Sequence, residues 1–458
     1  MKTLVIHFAR YGPYHYARLR SAADALAPLG WEVVGLETAG NDATYAWDET
    51  RGEEAGPQVI TAFPGRVHEE ITSAECKRVL RPLLDELKPD AVAIAGWAAA
   101  DALACLSWCR KNDVRRIVMS ETREADGKRV WWKELIKRYL ISRFDGALVG
   151  GKSHRNYLVK LGMPADRIAF GYNVVDNAYF REACLKVRKS EGLKVREEEI
   201  GDGGQGTGDR EQDANSSSQL SAFQFSAFTP KYFLSSNRFI ERKNLARLIE
   251  AYSIYIQKSK FINHQSSIWH LCLLGDGELK ADLHAQCHRL GLHVIESAPW
   301  ELTSPTSKIE NHQSSISNQR SASSLTSDHR PPTSGLVFFP GFRQIDELPR
   351  FYANAACFVH PALEEPWGLV LNEAMACGLP ILSGDNVGAA EELVDDGVNG
   401  WIFDATDVGA MEECLARVSA LDEEARAAFG QASERILEAR CPTEAFGRDL
   451  ADLLIAPG

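Results

Sequence analysis

The stretch ALEEPWGLVLNEAMACGLPIL, Ala362–Leu382, carries two carboxylates that a helix made only for burial has no use for. Pro366 fixes its own φ, and Gly368 permits close approach by another group. Leu369, Val370, Leu371, Ala374 and Met375 then follow at helical spacing, and Gly378 with Pro380 beyond it marks a stop. The spacing predicts a helix that opens at Gly368. Its first N–H groups, those of Gly368, Leu369 and Val370, point out of the end and, with the dipole, make an anion site. Glu365 lies in the loop just before, and Glu373 about 7–8 Å further along the axis at ~1.5 Å per residue.

A lone carboxylate repels a phosphate. One on each side of a phosphate site suits a ligand with phosphates in the middle and hydroxyls at both ends, as in a nucleotide sugar. Either Glu alone reads as an ordinary solvated helix former. The pair around Pro-Trp-Gly, ahead of an apolar helix, is the informative pattern.

Outward from this stretch, short apolar runs alternate with helical patterns. Thr3–Phe8, Ala91–Ile94, Arg116–Met119 and Ala147–Val149 read as buried strands, with helices near Tyr16–Leu29 and Ala74–Leu87. Tyr232–Leu234, Leu271–Leu274, Val337–Phe339, Cys357–Val359 and Ile381–Leu382 form a second set. The alternation predicts an α/β protein with two doubly wound, Rossmann-like domains whose cleft holds the ligand. The expected division is 1–180 for the first domain, 181–228 for a disordered linker and 229–435 for the second domain. A Ser/Thr/Asn-rich insertion at 302–334 interrupts the second domain, and a helix in 436–458 returns toward the first. The hexapeptide NHQSSI occurs at Asn263–Ile268 and Asn311–Ile316, which reads as inserted surface sequence.

The 458 residues are 45% apolar and 25% charged, with a formal charge of −12. A net acidic chain makes a poor general nucleic-acid binder. Ten cysteines without a CxxC pair read as buried core thiols in a reducing compartment. The N-terminus lacks a signal-peptide layout and no apolar run is long enough to span a bilayer, so a cytoplasmic protein is expected.

The pattern E-x7-E followed by AMACGLP resembles the donor-site signature of retaining GT-B glycosyltransferases of family 4. SSNRFIERKN, LLGDGEL, FFPGFRQIDELPRFYANAACFVHPA and GAAEELVDDGVNGWIF are similar to that family's segments, in order. The resemblance implies the GT-B fold and transfer of a sugar from a nucleoside diphosphate to an acceptor hydroxyl, with retention and without metal or cofactor. It implies that Arg238 and Lys243 grip the diphosphate, Glu365 orients the sugar and steadies the cationic ring, and Glu373 binds the ribose. Gly275 belongs to the Gly-Asp-Gly turn, and Gly341 and Phe342 lie near the nucleobase. The sequence gives no preference among bases, and the acceptor is a glycan, a lipid-linked sugar or a small molecule. Two other readings stay open: a catalytically silent nucleotide-sugar-binding subunit, and another GT-B enzyme such as an epimerase.

The front half carries a single glycine, Gly12, at the first strand-to-helix turn, where the family has a Gly-rich loop. His15 at the following helix start and Glu121 in VMSETREAD are the acceptor-side candidates. KRVWWKELIKRYLISR, Lys128–Arg143, is a basic amphipathic helix with six cations and one acid. It reads either as a packed helix with snorkelling Lys and Arg or as a peripheral contact to an anionic membrane.

Overall fold

The computed structural model describes residues 1–41, 56–192, 231–261, 268–303 and 335–455. The first domain begins β1 (Lys2–Phe8), α1 (Pro13–Leu26), β2 (Trp31–Asn41), β3 (Val59–Val67), α2 (Ser73–Leu87) and β4 (Ala91–Ala95). It continues α3 (Ala100–Lys111), β5 (Arg115–Ser120), α4 (Trp131–Ile141), β6 (Gly146–Val149), α5 (Lys152–Lys160), β7 (Ile168–Ala169) and α6 (Asn177–Ser190). The second domain begins β8 (Tyr232–Ser236), α7 (Leu245–Phe261), β9 (His270–Leu274), α8 (Lys280–Arg289), β10 (His293–Ile295) and β11 (Leu336–Gly341). Then follow α9 (Leu348–Asn354), β12 (Cys357–His360), α10 (Leu369–Ala376), β13 (Ile381–Gly384), α11 (Gly388–Leu393) and β14 (Gly400–Phe403). Three helices close the described chain: α12 (Val408–Ser419), α13 (Glu423–Arg440) and α14 (Ala445–Ile455).

Each domain is built on a seven-stranded sheet, ordered β3-β2-β1-β4-β5-β6-β7 and β10-β11-β9-β8-β12-β13-β14. Every strand pair is parallel. The central strands are apolar because helices cover both faces: Val5, Val92, Val118 and Ala147 face one core, Leu4, Ala93 and Ile117 the other. In each sheet the chain winds outward both ways from one point, between β1 and β4 in the first and between β8 and β12 in the second. Ligands on such sheets bind beyond the carboxyl ends of the strands at that reversal.

Three expectations need correction. The linker expected from 181 does not begin there, because α6 runs to Ser190. Its Phe180, Cys184 and Val187 recur on one face and pack with α9 and α10 residues of the second domain. The strands β2, β3, β7, β10 and β14 complete the sheets beyond the runs the sequence marked. The third bears on the first of the two readings left open for α4, because its apolar face is not packed: Trp131, Trp132, Leu135, Ile136 and Tyr139 are exposed and only Ile141 is buried within the helix.

Most of the insertion expected at 302–334, and both NHQSSI copies apart from Ile268, lie outside the described residues. The helix α14 packs on α1, where the Gly447 amide donates to Ser21 Oγ at 3.0 Å. A Cβ on Gly447 would stand 2.0 Å from the Ser21 carbonyl oxygen, so only glycine lets the two helices come this close. All ten cysteines are free and buried. Among the described residues no helix is long and apolar enough to cross a membrane.

Candidate active site

Both halves of the expected constellation sit at the reversal between β8 and β12. After β8 the loop passes Arg238 and enters a short turn, Glu241–Lys243, that ends at Asn244 with φ +59°. Asn244 is fixed by its side chain, which donates to the carbonyls of Pro361 and Ala405 at 2.9 and 2.7 Å. This turns Lys243 inward, where it is buried. After β12 the chain runs from His360 to Glu365 and into α10, capped by Gly368 at φ +101°. A Cβ there would meet Glu365 Cγ and Val387 Cγ1 at 3.4 Å and His360 Nε2 at 3.6 Å, so this residue stands at the mouth beside the side chains that line it.

Glu365 is the hub. Lys243 Nζ donates to its Oε2, and Arg242 Nη1 donates to the same oxygen at 3.1 Å. Burial would raise its pKa, but the Lys243 ammonium on its Oε2 outweighs burial and holds it well below the ordinary value. Burial lowers the Lys243 pKa, which Glu365 partly restores and the nearby Arg242 and Arg238 oppose. His360 is fully buried, and Nε2 stands 3.8 Å from Glu365, too far for a hydrogen bond. Among the described residues neither ring nitrogen has a hydrogen-bond partner, and burial lowers the ring's pKa. A buried donor/acceptor without a partner among the described residues thus stands beside the mouth of α10.

Glu373 lies in the second turn of α10. Its carboxylate accepts from Tyr14 of α1 and Tyr352 of α9, each at 2.7 Å. Burial pushes its pKa up to about 7, against those two hydrogen bonds. Its oxygens are therefore engaged, one of them by the opposite domain.

The glycines divide into two kinds. Gly275 has φ +132°, and a Cβ there would stand 1.9 Å from the Asn237 carbonyl oxygen. It lets the turn after β9 touch the backbone just before Arg238, so its role is to position the cationic loop. Gly341 has φ +83° with open space around it, and Phe342 beside it is partly exposed at the end of β11. Gly12 has an ordinary φ of −108°, so its backbone does not demand glycine.

On the first domain, the Gly12 amide donates to His15 Nδ1 at 3.0 Å, and the His15 ring lies 4.2 Å from the Phe8 ring. Burial, then the charges of Arg18 and Arg10, push the His15 pKa down to about 3. A neutral ring that caps its own helix is a structural histidine. Glu121, after β5, has its pKa raised by burial; Arg18 opposes this, and the charge of Glu365 across the cleft adds to it. Glu121 therefore lies within electrostatic reach of the donor-side carboxylate.

Several site residues escape the sequence reading. Tyr14 and Tyr352 hold Glu373, and Arg242 joins Lys243 on Glu365. Arg123 is buried and donates to the Asn386 carbonyl at 3.2 Å, tying the Glu121 loop to the second domain. His154 Nε2 meets the Pro366 carbonyl at 3.0 Å and braces the Pro-Trp-Gly turn from the same side. His360 alone carried a local signal: a histidine before proline at the end of a buried strand, five residues ahead of Glu365.

Two facing sheets with a charged pocket at one reversal define a GT-B-type transferase architecture. The family described as Glycosyl transferases group 1 matches residues 333–435, and Glycosyltransferase Family 4 matches residues 17–179. The chain belongs to these GT-B family 4 glycosyltransferases.

A sulfoquinovosyl transferase of Arabidopsis thaliana, SQD2, is 36% identical over 104 residues, which are 22% of this chain and 20% of that protein. The match thus spans well under two thirds of that relative. Anabaena Alr3699/HepE, solved in complex with UDP and glucose, has a TM-score of 0.61 at 16% identity, with 99% of each chain covered. Sucrose-phosphate synthase from Thermosynechococcus elongatus has a TM-score of 0.64 at 14% identity, covering 99% of this chain and 98% of that one. These two likenesses are of fold.

Proposed function

We propose that the protein moves a sugar from a nucleoside-diphosphate sugar to an acceptor hydroxyl, with retention of configuration and without a metal ion. The observation that carries this reading is the convergence of Lys243, Arg242, Glu365 and the open end of α10 at one sheet reversal.

In this structure Glu365 engages the cations Lys243 and Arg242. A bound diphosphate takes over Lys243 and Arg238, while the amides at the start of α10 meet its oxygens. Glu365 is then released toward the sugar, where a charged carboxylate orients hydroxyls and steadies positive charge developing on the ring. Negative charge grows on the leaving diphosphate as the glycosidic bond breaks, so a fixed cation there acts on the transition state more than on the ground state. His360 supplies a neutral partner to the same pocket. The ribose hydroxyls replace Tyr14 on Glu373, and Gly341 with Phe342 borders the base. Glu121 faces the acceptor hydroxyl from the opposite domain, and its raised pKa suits a group that takes up a proton.

The UDP and glucose bound in Alr3699/HepE make UDP-glucose the first donor to try. Thermal-shift screening against UDP-, GDP- and ADP-sugars reads donor choice directly, since a bound donor stabilises by mass action. Slow release of nucleoside diphosphate without acceptor, unchanged by EDTA, is the expected activity. Binding without any such release would leave a nucleotide-sugar-binding subunit instead, and loss of release on chelation would overturn metal independence.

A further inference from the structure

We infer that the outward face of α4 seats the protein on an anionic lipid surface. At about 100° per residue, Trp131, Leu135, Tyr139, Trp132 and Ile136 fall within one sector of about 140°. They are 76%, 55%, 55%, 48% and 51% exposed, and they make up five of the twelve exposed large apolar side chains among the described residues. Arg138 falls about 20° outside one edge of that sector and Lys133 about 60° outside the other. The opposite side faces the protein: Ile141 is buried, and Lys137 and Glu134 meet the Tyr157 hydroxyl of α5 at 2.9 and 2.8 Å. The helix thus turns its apolar face, three of its five side chains aromatic, away from the core, with a cation flanking it on each side. That is the arrangement of a helix lying in a headgroup layer, where Trp and Tyr rings bury their bodies and keep their polar tips wet.

Charge favours lipid over a second copy. The chain carries −12 overall, while residues 128–143 hold six cations and one acid. An anionic surface repels the rest of the molecule and attracts this island, which fixes the orientation of docking. Two copies meeting through the same face would oppose like charges across the interface.

The seat also has a purpose under the transferase reading, on which this part of the inference rests. A cavity of about 330 Å³ opens between the domains, lined by Arg123, Ser153, Asn156, Tyr157, Asn386 and Glu391 among others. Tyr157 joins it to α4, and the Asn386 carbonyl, which accepts the Glu365 amide at 3.1 Å, joins it to the donor pocket. A docked α4 brings that cavity to the headgroups, where an acceptor carried by a lipid is presented.

Flotation of the full chain with vesicles of phosphatidylcholine, alone or with about one third phosphatidylglycerol, tests the seat without any turnover. Binding is expected only with phosphatidylglycerol and should weaken at high salt. Lys133→Glu/Arg138→Glu should lose about tenfold or more in vesicle affinity, and Trp131→Ser/Leu135→Ser a comparable amount. Nucleoside diphosphate release from the donor should stay unchanged in both variants. Equal binding to neutral vesicles, no binding at all, or wild-type binding by the charge-reversed variant would overturn the inference. So would a dimer in sedimentation that Leu135→Ser dissociates, since a second copy would then cover the face. A protein that floats but releases no nucleotide would keep the seat and lose the transferase reading.

Discussion

The mouth and the second turn of α10 hold the same residue type in opposite electrical settings. At the mouth, Glu365 has Lys243 and Arg242 on one oxygen and stays ionised well below the ordinary range. Deeper in, Glu373 has two phenols, and burial brings it to about 7. Eight residues of separation leave both on one short segment, yet partners rather than position decide the charge each carries. One is a fixed anion which, under the proposed function, exchanges its cations with a ligand. The other is a hydrogen-bonding group poised to ionise near neutral pH.

The largest effect should come from breaking the mouth. Lys243→Ala and Glu365→Ala are each expected to cut turnover about a hundredfold or more while the fold survives. Turnover with the best donor, checked beside circular dichroism, measures this; wild-type turnover in either variant removes that residue from catalysis.

The contrast sharpens with pH. Between its ordinary value of 4.5 and about 7, Glu373 keeps its proton in the folded chain and has lost it in the unfolded one. The unfolded state then binds fewer protons, so this group makes stability fall as pH rises through that window. Glu365 has the opposite sign: its stabilisation is present above 4.5 and is lost as pH falls toward its depressed value. Glu373→Gln should therefore gain on the wild type between pH 5 and pH 8 by up to about 3 kcal/mol, read from the two thermal midpoints. A constant difference would show that Glu373 titrates normally.

Gly275→Ala comes next. Its φ and the Asn237 carbonyl oxygen 1.9 Å from the new Cβ predict a loss of about 2 kcal/mol and weaker donor binding through the displaced Arg238 loop. Calorimetric unfolding together with donor titration checks both halves. The smallest change is Tyr14→Phe, which should tighten donor binding about threefold, under 1 kcal/mol, by freeing one Glu373 oxygen for the ribose. An unchanged Kd would mean that Tyr14 and the donor do not compete.

What the sequence disclosed follows from how local each feature is. Leu4–Ile6, Val92–Ile94 and Ile117–Met119 are buried on both faces, so they stand out as apolar runs. The strand β2 mixes Glu32, Glu37 and Thr38 into its length, and β3 includes Gly65 and Arg66; pairing with neighbours makes them strands. Residues 181–190 look like linker because they are charged, and the three-residue pattern of Phe180, Cys184 and Val187 is a weak sign until a partner surface is known. Lys243, Glu365 and Gly368 each lie in the loop that follows a strand, five to eight residues past its end, so motif spacing points to them. Tyr14 is 359 residues from the carboxylate it holds, and no local pattern marks such a pair. For α4 the periodicity was plain, but which side of the helix met the protein depended on Tyr157 and on the body behind it.

Helix α14 rests on α1, with Gly447 pressed against Ser21. During synthesis residues 13–26 emerge more than four hundred residues before their cover does. The first domain must then wait with Leu19, Ala22 and Leu26 partly bare until Phe446 and Leu450 arrive. The first domain's cover is supplied by residues 445–455, which follow the whole second domain in sequence, so burial in one domain depends on a segment made after the other.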